Sequence, residues 1–392
     1  MEIAFWICLF IVFYTYLGYG ITLYAILCIK RMTGKIRTEP RLPEHDEDLP
    51  DVTLMVCAYN EQDVVDMKLE NTRQMDYPKD KLHLLWVTDG SNDQTNERLS
   101  AYPDVEVLYQ PQRQGKTAAL NRGIAHARTS IVIMTDANTC LNKGAIREMV
   151  RLFQDPTVGC VAGEKRVMQR TEDQMAAKGE GIYWKYESRL KRWDDELYSA
   201  MGAAGELCAI RKELYQPMPD DTLLDDFIMS MRLLPMGYRI AYTAEAYAME
   251  YGSADLAEES KRKRRIAAGG LQSIARLWPL LNVFRHPLVT FQYLSHRVLR
   301  WSITPFALIA VAALNVLLVL GNAGGIYTLI WLLQLLFYGC ATAGWWLERH
   351  GKKVTVCYVA YYFVFMNTQV FRGISYLMNH RNSGAWEKAR RG

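Results

Sequence analysis

An α/β domain with a mostly parallel sheet, inserted between membrane-spanning helices, is the fold this sequence predicts. Three observations carry that expectation: long uncharged stretches towards both ends of the 392 residues, a βα rhythm between them, and polar residues placed at the ends of consecutive strands. Half of the residues are hydrophobic, ample for a large core.

Residues 3–28 (IAFWICLFIVFYTYLGYGITLYAILC) contain no charge, and comparable stretches lie at 301–320 and 326–347. Each approaches the ~20 residues a helix needs to cross a bilayer core. A secretion signal would carry a basic front end and a small-residue cleavage site; here the only early charge is Glu2, so residues 1–30 read as a retained anchor. KRMTGKIR (30–37) follows it, and cations beside a span mark the cytoplasmic side. Residues from about 31 to 285 are therefore expected in the cytosol. The eight cysteines show no CxxC spacing and four lie in apolar stretches, which argues for reduced thiols over disulfides or zinc. A formal net charge of +4 gives no reason to expect nucleic acid as a partner.

Residues 31–50, ending in TEPRLPEHDEDLP, read as a linker, and a domain is expected over 51–255. VTLMVCAY (52–59), LHLLWVTDG (82–90), VEVLYQ (105–110) and SIVIMTD (130–136) are strand-forming runs. Polar helical stretches separate them, including KTAALNRGIAHA (116–127). This alternation predicts parallel strands with helices on both faces, and ligands of such sheets sit outside the carboxyl ends of the strands. YNE (59–61), TDGSND (88–93), QGK (114–116) and TDAN (135–138) all fall at that edge. Each has a plain alternative: DGSND is a good turn, a lone lysine is usually solvated, and Asp136 suits a helix cap. Four coincidences at one edge favour a shared site.

The ordered set AYNE, TDGSNDQT, QGKTAALN, TDANT and LLDDF, between membrane segments, resembles a membrane-embedded family 2 glycosyltransferase of the polysaccharide-synthase type with the GT-A fold. That resemblance implies a UDP-sugar donor, a divalent metal (Mg²⁺ or Mn²⁺) and a location in a bacterial-type inner or plasma membrane. It implies that Asp89 contacts the base, that Tyr59 and Glu61 lie near the nucleoside, and that Lys116 lies near base and phosphates. Asp136 and Asn138 match the family D-x-D that meets ribose and metal, with an amide in place of the second carboxylate. In LLDDF, Asp226 matches the catalytic base and Asp225 a supporting carboxylate. MGAAGELCAIRK (201–212), with Gly202, Gly205 and Glu206, resembles the acceptor loop. In SKRKRRIAAGG (260–270), Arg265 matches the family's diphosphate arginine, while Arg262 and Ile266 stand where processive members have glutamine and tryptophan. The run Lys261–Arg265 also suits anionic lipid head groups, at roughly 1 kcal/mol per cation.

Residues 256–300 are expected as interfacial amphipathic helices and 301–378 as membrane helices, followed by a basic tail, 379–392. The stretch 354–378 contains Gln369 and Arg372 and either re-enters or crosses against the charge rule. The function expected is inverting transfer of a sugar to a membrane-presented acceptor for exopolysaccharide. Transfer of a few sugars to a lipid-linked acceptor is the alternative, and a catalytically silent membrane scaffold stands behind both.

Overall fold

The computed structural model describes residues 1–34, 37, 40–168, 176–251, 256–352 and 354–379. Part of the expected linker, the end of the expected 51–255 domain and the basic tail from 380 onward lie outside the described residues.

Among the described residues eight strands form one sheet: β1 Val52–Ala58, β2 Leu82–Asp89, β3 Val105–Gln110, β4 Ile131–Asp136, β5 Cys140–Leu141, β6 Val158–Met168, β7 Leu207–Arg211 and β8 Arg239–Tyr251. Their order is β3-β2-β1-β4-β7-β6-β8-β5. The pairs β1–β2, β1–β4, β2–β3 and β6–β8 are parallel; β7 runs antiparallel to β4 and β6, and β5 antiparallel to β8. Both faces are covered, so the central strands are apolar at successive positions instead of alternating. Met55, Val87 and Met134 pack on one face with Ile124 and Ile228; Leu54 and Ile133 pack on the other with Ile146 and Met149.

Among the described residues, Glu2–Met32, Ile303–Leu320 and Gly325–Arg349 are three helices long and apolar enough to cross a membrane. Polar pairs join them: Thr15 Oγ1 lies 2.9 Å from Thr304 Oγ1, and Asn315 Nδ2 donates to Gln334 Oε1 at 3.1 Å. The last helix, Thr355–Asn379, packs along Gly325–Arg349 and along the amphipathic helix Leu256–Arg276. Its Gln369 and Arg372 both meet Ser260 of that helix, at 3.3 and 3.1 Å, which gives these polar groups a protein partner.

A buried ionic knot ties the first span to the sheet domain. His296, wholly buried, has Nδ1 on Asp194 and Nε2 3.1 Å from Glu187 Oε1. Arg297 and Arg300 donate to the same Glu187 at 3.0 and 2.8 Å, and Tyr19 of the first span donates to Asp194.

Candidate active site

The carboxyl ends of β1, β2 and β4 lie on one edge because those strands are parallel. Since β7 runs back along β4 with Leu207 opposite Thr135, the residues before it, Gly205 and Glu206, arrive at the same edge. There an open cleft of about 310 Å³ is lined by Cys57, Lys116, Asp136, Gly205, Asp225 and Asp226 among others. Lys116 Nζ donates to Asp136 Oδ1 at 2.8 Å and stands 4.0 Å from Asp225 Oδ2. A Cβ added at Gly205 would sit 3.3 Å from Asp226 Oδ2 and 3.4 Å from Lys116 Nζ, so glycine leaves the approach to both open.

One ammonium thus faces three carboxylates. Burial pushes Lys116 down, but Asp136 and Asp225 outweigh it and the ammonium is held firmly charged. Burial, and then the Asp225 charge, push the Asp226 carboxyl up to about 7, while Lys116 and the Phe227 N–H, 2.8 Å from Oδ1, act in the opposite sense. A carboxylate with that proton affinity is suited to accept a proton near neutral pH.

Asp225 and Asp226 open the short helix Asp225–Met231. The segment leading to it is pinned from two sides. Arg276 makes a double contact to Asp221 at 2.8 Å, Gln272 Oε1 accepts the Leu223 N–H at 3.0 Å, and Thr117 Oγ1 donates to Thr222 O at 3.1 Å. Sequence patterns gave no signal for Arg276 or Gln272, which lie far along the chain on the amphipathic helix.

The other predicted residues flank this centre. Asp89 Oδ2 accepts the N–H groups of Gln114 and Gly115 at 3.0 and 2.6 Å, and Oδ1 faces Arg122 at 3.4 Å. Asp89 therefore shapes the loop that presents Lys116, with Gly115 at φ +98°, a conformation that favours glycine. Tyr59 lies under the Arg113 guanidinium, 3.9 Å from the ring centre. The Glu61 N–H donates to Thr95 Oγ1 at 2.8 Å, and Asn60 pairs with Asn92, so the loops after β1 and β2 are stitched together.

Glu206 is engaged in a charge cluster: Lys165 at 2.6 Å and Arg262 at 3.1 Å reach its Oε1, and both cations also face Glu250. Burial pushes the Glu206 carboxyl up, but Lys165 and Arg262 hold it well below the usual range. Gly202, at φ +96°, packs against Phe227; a Cβ there would fall 2.2 Å from the ring. In the basic run, Lys261 and Lys263 pair with Glu258 and Glu259 on their own helix, and Arg264 stacks on Tyr376 at 5.7 Å. Arg265 makes no ion pair among the described residues, and its Nε is buried without a hydrogen-bond partner.

For a divalent cation the edge offers hard oxygen donors, the Asp136 carboxylate and the Asn138 amide, which suit Mg²⁺ or Mn²⁺. Among the described residues no group of three or more His, Cys, Asp and Glu gathers into a metal cluster. A cation there would need oxygens from its ligand as well.

A mostly parallel sheet with a carboxylate-lined cleft at the parallel-strand edge, set between apolar helices, is the architecture of the GT-A fold. Residues 50–269 match the family model described as glycosyltransferase like family 2, and the chain belongs to that family. It is 27% identical over 227 residues to a probable glycosyltransferase, YdaM, of Bacillus subtilis, covering 55% of this chain and 54% of that one. It is 26% identical over 256 residues to the poly-beta-1,6-N-acetyl-D-glucosamine synthase of Staphylococcus aureus, covering 63% of this chain and 61% of that one. The matches therefore span between about half and three-fifths of the length of these curated relatives. Among solved structures, a mannosyltransferase of Pyrobaculum calidifontis in complex with GDP-Man and Mn²⁺ superposes over 97% of this chain and 100% of its own, with a TM-score of 0.68 and 20% identity.

Proposed function

We propose that the protein is an inverting transferase that moves a sugar from a UDP-sugar, in the cytosol, to a hydroxyl presented at the membrane, for exopolysaccharide. The observation that carries the reading is Asp226: a carboxyl pushed up to about 7, beside Lys116 and facing the gap left by Gly205. Asp226 takes the proton of the acceptor hydroxyl as its oxygen attacks the anomeric carbon. Asp225 keeps that base basic. Lys116, with Arg265 from the amphipathic helix, offsets the charge that develops on the departing diphosphate. Asp136 and Asn138 would hold a divalent cation, which when bound neutralises the same diphosphate. Tyr59, Glu61 and Asp89 belong to the loops on the nucleoside side, and Gly202, Gly205 and Glu206 to the acceptor side.

The basic KRMTGKIR beside the first span supports the cytosolic orientation. Kinship with a polysaccharide synthase supports the polymer product. A lipid-linked acceptor receiving one or a few sugars is the second reading, favoured by Ile266 in place of an aromatic stacking surface and by Arg262 being tied to Glu206 and Glu250. The deciding experiment incubates membranes containing the protein with labelled UDP-sugars, and with GDP-mannose in parallel, and sizes the product. Long polymer supports the first reading and a short, solvent-extractable glycolipid the second. A protein that binds and turns over no nucleotide sugar would refute both.

A further inference from the structure

Lys68 stands in the helix Val65–Arg73, is wholly buried, and has no carboxylate partner within ion-pair distance among the described residues. Its ammonium has three protons and meets three acceptors: Thr135 Oγ1 at 3.0 Å, Thr139 O at 2.8 Å and Thr139 Oγ1 at 3.1 Å. That leaves each threonine hydroxyl one proton, and each has a carbonyl for it. Thr135 Oγ1 donates to Glu206 O at 2.9 Å, and Thr139 Oγ1 donates to Asp136 O at 2.8 Å. The two hydroxyl oxygens, 2.9 Å apart, are then acceptors bridged by one ammonium. Every donor has one assignment, and none of these side chains is more than 4% exposed.

The network clamps both ends of the turn that carries Asp136 and Asn138. Through Thr135 it also anchors the main chain of Glu206, next to the Gly205 that faces Asp226. A methionine would fill the same space without the cost of burying a charge, so packing alone does not account for a lysine here. Burial pushes the ammonium down to about 7, against the opposing pull of Asp136.

We infer that Lys68 is a positioning residue: from outside the cleft, its three hydrogen bonds set the donor-side turn and the acceptor-side strand in mutual register. This rests on the transferase reading above. The test uses the full-length protein purified in detergent, as wild type, Lys68→Met, Thr139→Val and Thr53→Val. Thr53 hydrogen-bonds Thr129 at 2.8 Å near the opposite ends of β1 and β4, so its variant loses a buried bond of similar kind away from the cleft. Binding of UDP with Mn²⁺ is measured by titration, and transfer by initial rates.

Lys68→Met should raise the UDP–Mn²⁺ Kd and the donor KM about tenfold or more. Thr139→Val should raise them about threefold, and Thr53→Val should leave both within twofold while lowering the melting temperature. A purely structural lysine would lower the folded fraction, and hence Vmax, without moving Kd or KM in the molecules that remain folded. Should Lys68→Met fail to fold, Thr139→Val carries the test. Unchanged Kd and KM in the folded variants overturn the role of Lys68 and leave the transferase reading standing. A wild type that binds neither UDP nor GDP with Mn²⁺ overturns that reading, and the Lys68 role with it.

Discussion

Asp226→Asn keeps the shape of the side chain and removes its capacity to accept a proton. If Asp226 is the base, kcat should fall about a hundred- to ten-thousand-fold, with UDP affinity held within about twofold. The wild-type profile should follow the carboxyl: kcat/KM drops about tenfold per pH unit below about 7 and is level above it. The same shift acts on stability. In the unfolded chain the carboxyl ionises near its ordinary 3.8, in the folded chain near 7, raised first by burial and then by Asp225. Between those values the unfolded state has released its proton while the folded state retains it, so stability falls as pH rises from about 4 to about 7 and then stays level. A gap of about 3 units at about 1.4 kcal/mol each sets a ceiling near 4 kcal/mol. The cleft is open to water, so about 2 kcal/mol is the working figure. Asparagine cannot ionise, so the variant should melt a few degrees above wild type at pH 8, and the gap should close towards pH 5. The assay is transfer from labelled donor across pH 5.5–8.5 with thermal unfolding of the same samples. A variant with more than a tenth of wild-type transfer, or a profile flat between pH 6 and 8, would refute the assignment of the base. A variant less stable than wild type at pH 8 would refute the electrostatics.

Neighbouring charges should move that acid limb in opposite directions: Asp225→Asn removes a repelling anion and shifts it below 7, whereas Lys116→Met removes a stabilising cation and shifts it above 7, both read from kcat/KM against pH. Asn138→Asp adds an anion to the same edge and should shift the limb upward, by less than Lys116→Met. Gly205→Ala places a methyl 3.3 Å from Asp226 Oδ2, so the acceptor KM should rise several-fold with the donor KM within twofold. Gly202→Ala should instead lower the melting temperature together with kcat, because a Cβ there meets the Phe227 ring at 2.2 Å and φ is +96°. His296→Ala leaves Asp194 and Glu187 without the ring that joins them and should cost about 3 kcal/mol, seen as a drop in detergent melting temperature with the donor KM unchanged.

The parallel half of the sheet was legible in the sequence for a physical reason. Strands buried on both faces are continuous apolar runs, and each ends where polarity begins, so the edge carrying YNE, TDGS and TDAN could be read without coordinates. The antiparallel return of β7 was not legible, because LCAIR alone has no orientation; yet that return brings Gly205 to Asp226 and Lys116. The charge cluster at Glu206 was equally hidden. Its partners Lys165 and Arg262 lie 41 and 56 residues away, and nothing in GELC reports a lysine on β6 or an arginine on an amphipathic helix. Lys68 was not legible for the opposite reason, since a lysine in a polar helix reads as solvated and only the fold buries it against Thr135 and Thr139.

On the proposed reading, charge balance at this edge accounts for the least expected letter in the sequence. Asp136, Asp225 and Asp226 already face a single ammonium, and Asp226 stands near 7 because burial and then Asp225 push it up while Lys116 pulls it down. A fourth carboxylate, at position 138, would add to the repulsion and draw the base out of the neutral range, where a carboxyl that stays protonated accepts nothing. The amide of Asn138 keeps an oxygen at that place without the charge. On the proposed reading the neutral residue trades some grip on a divalent cation for a base that ionises near neutral pH.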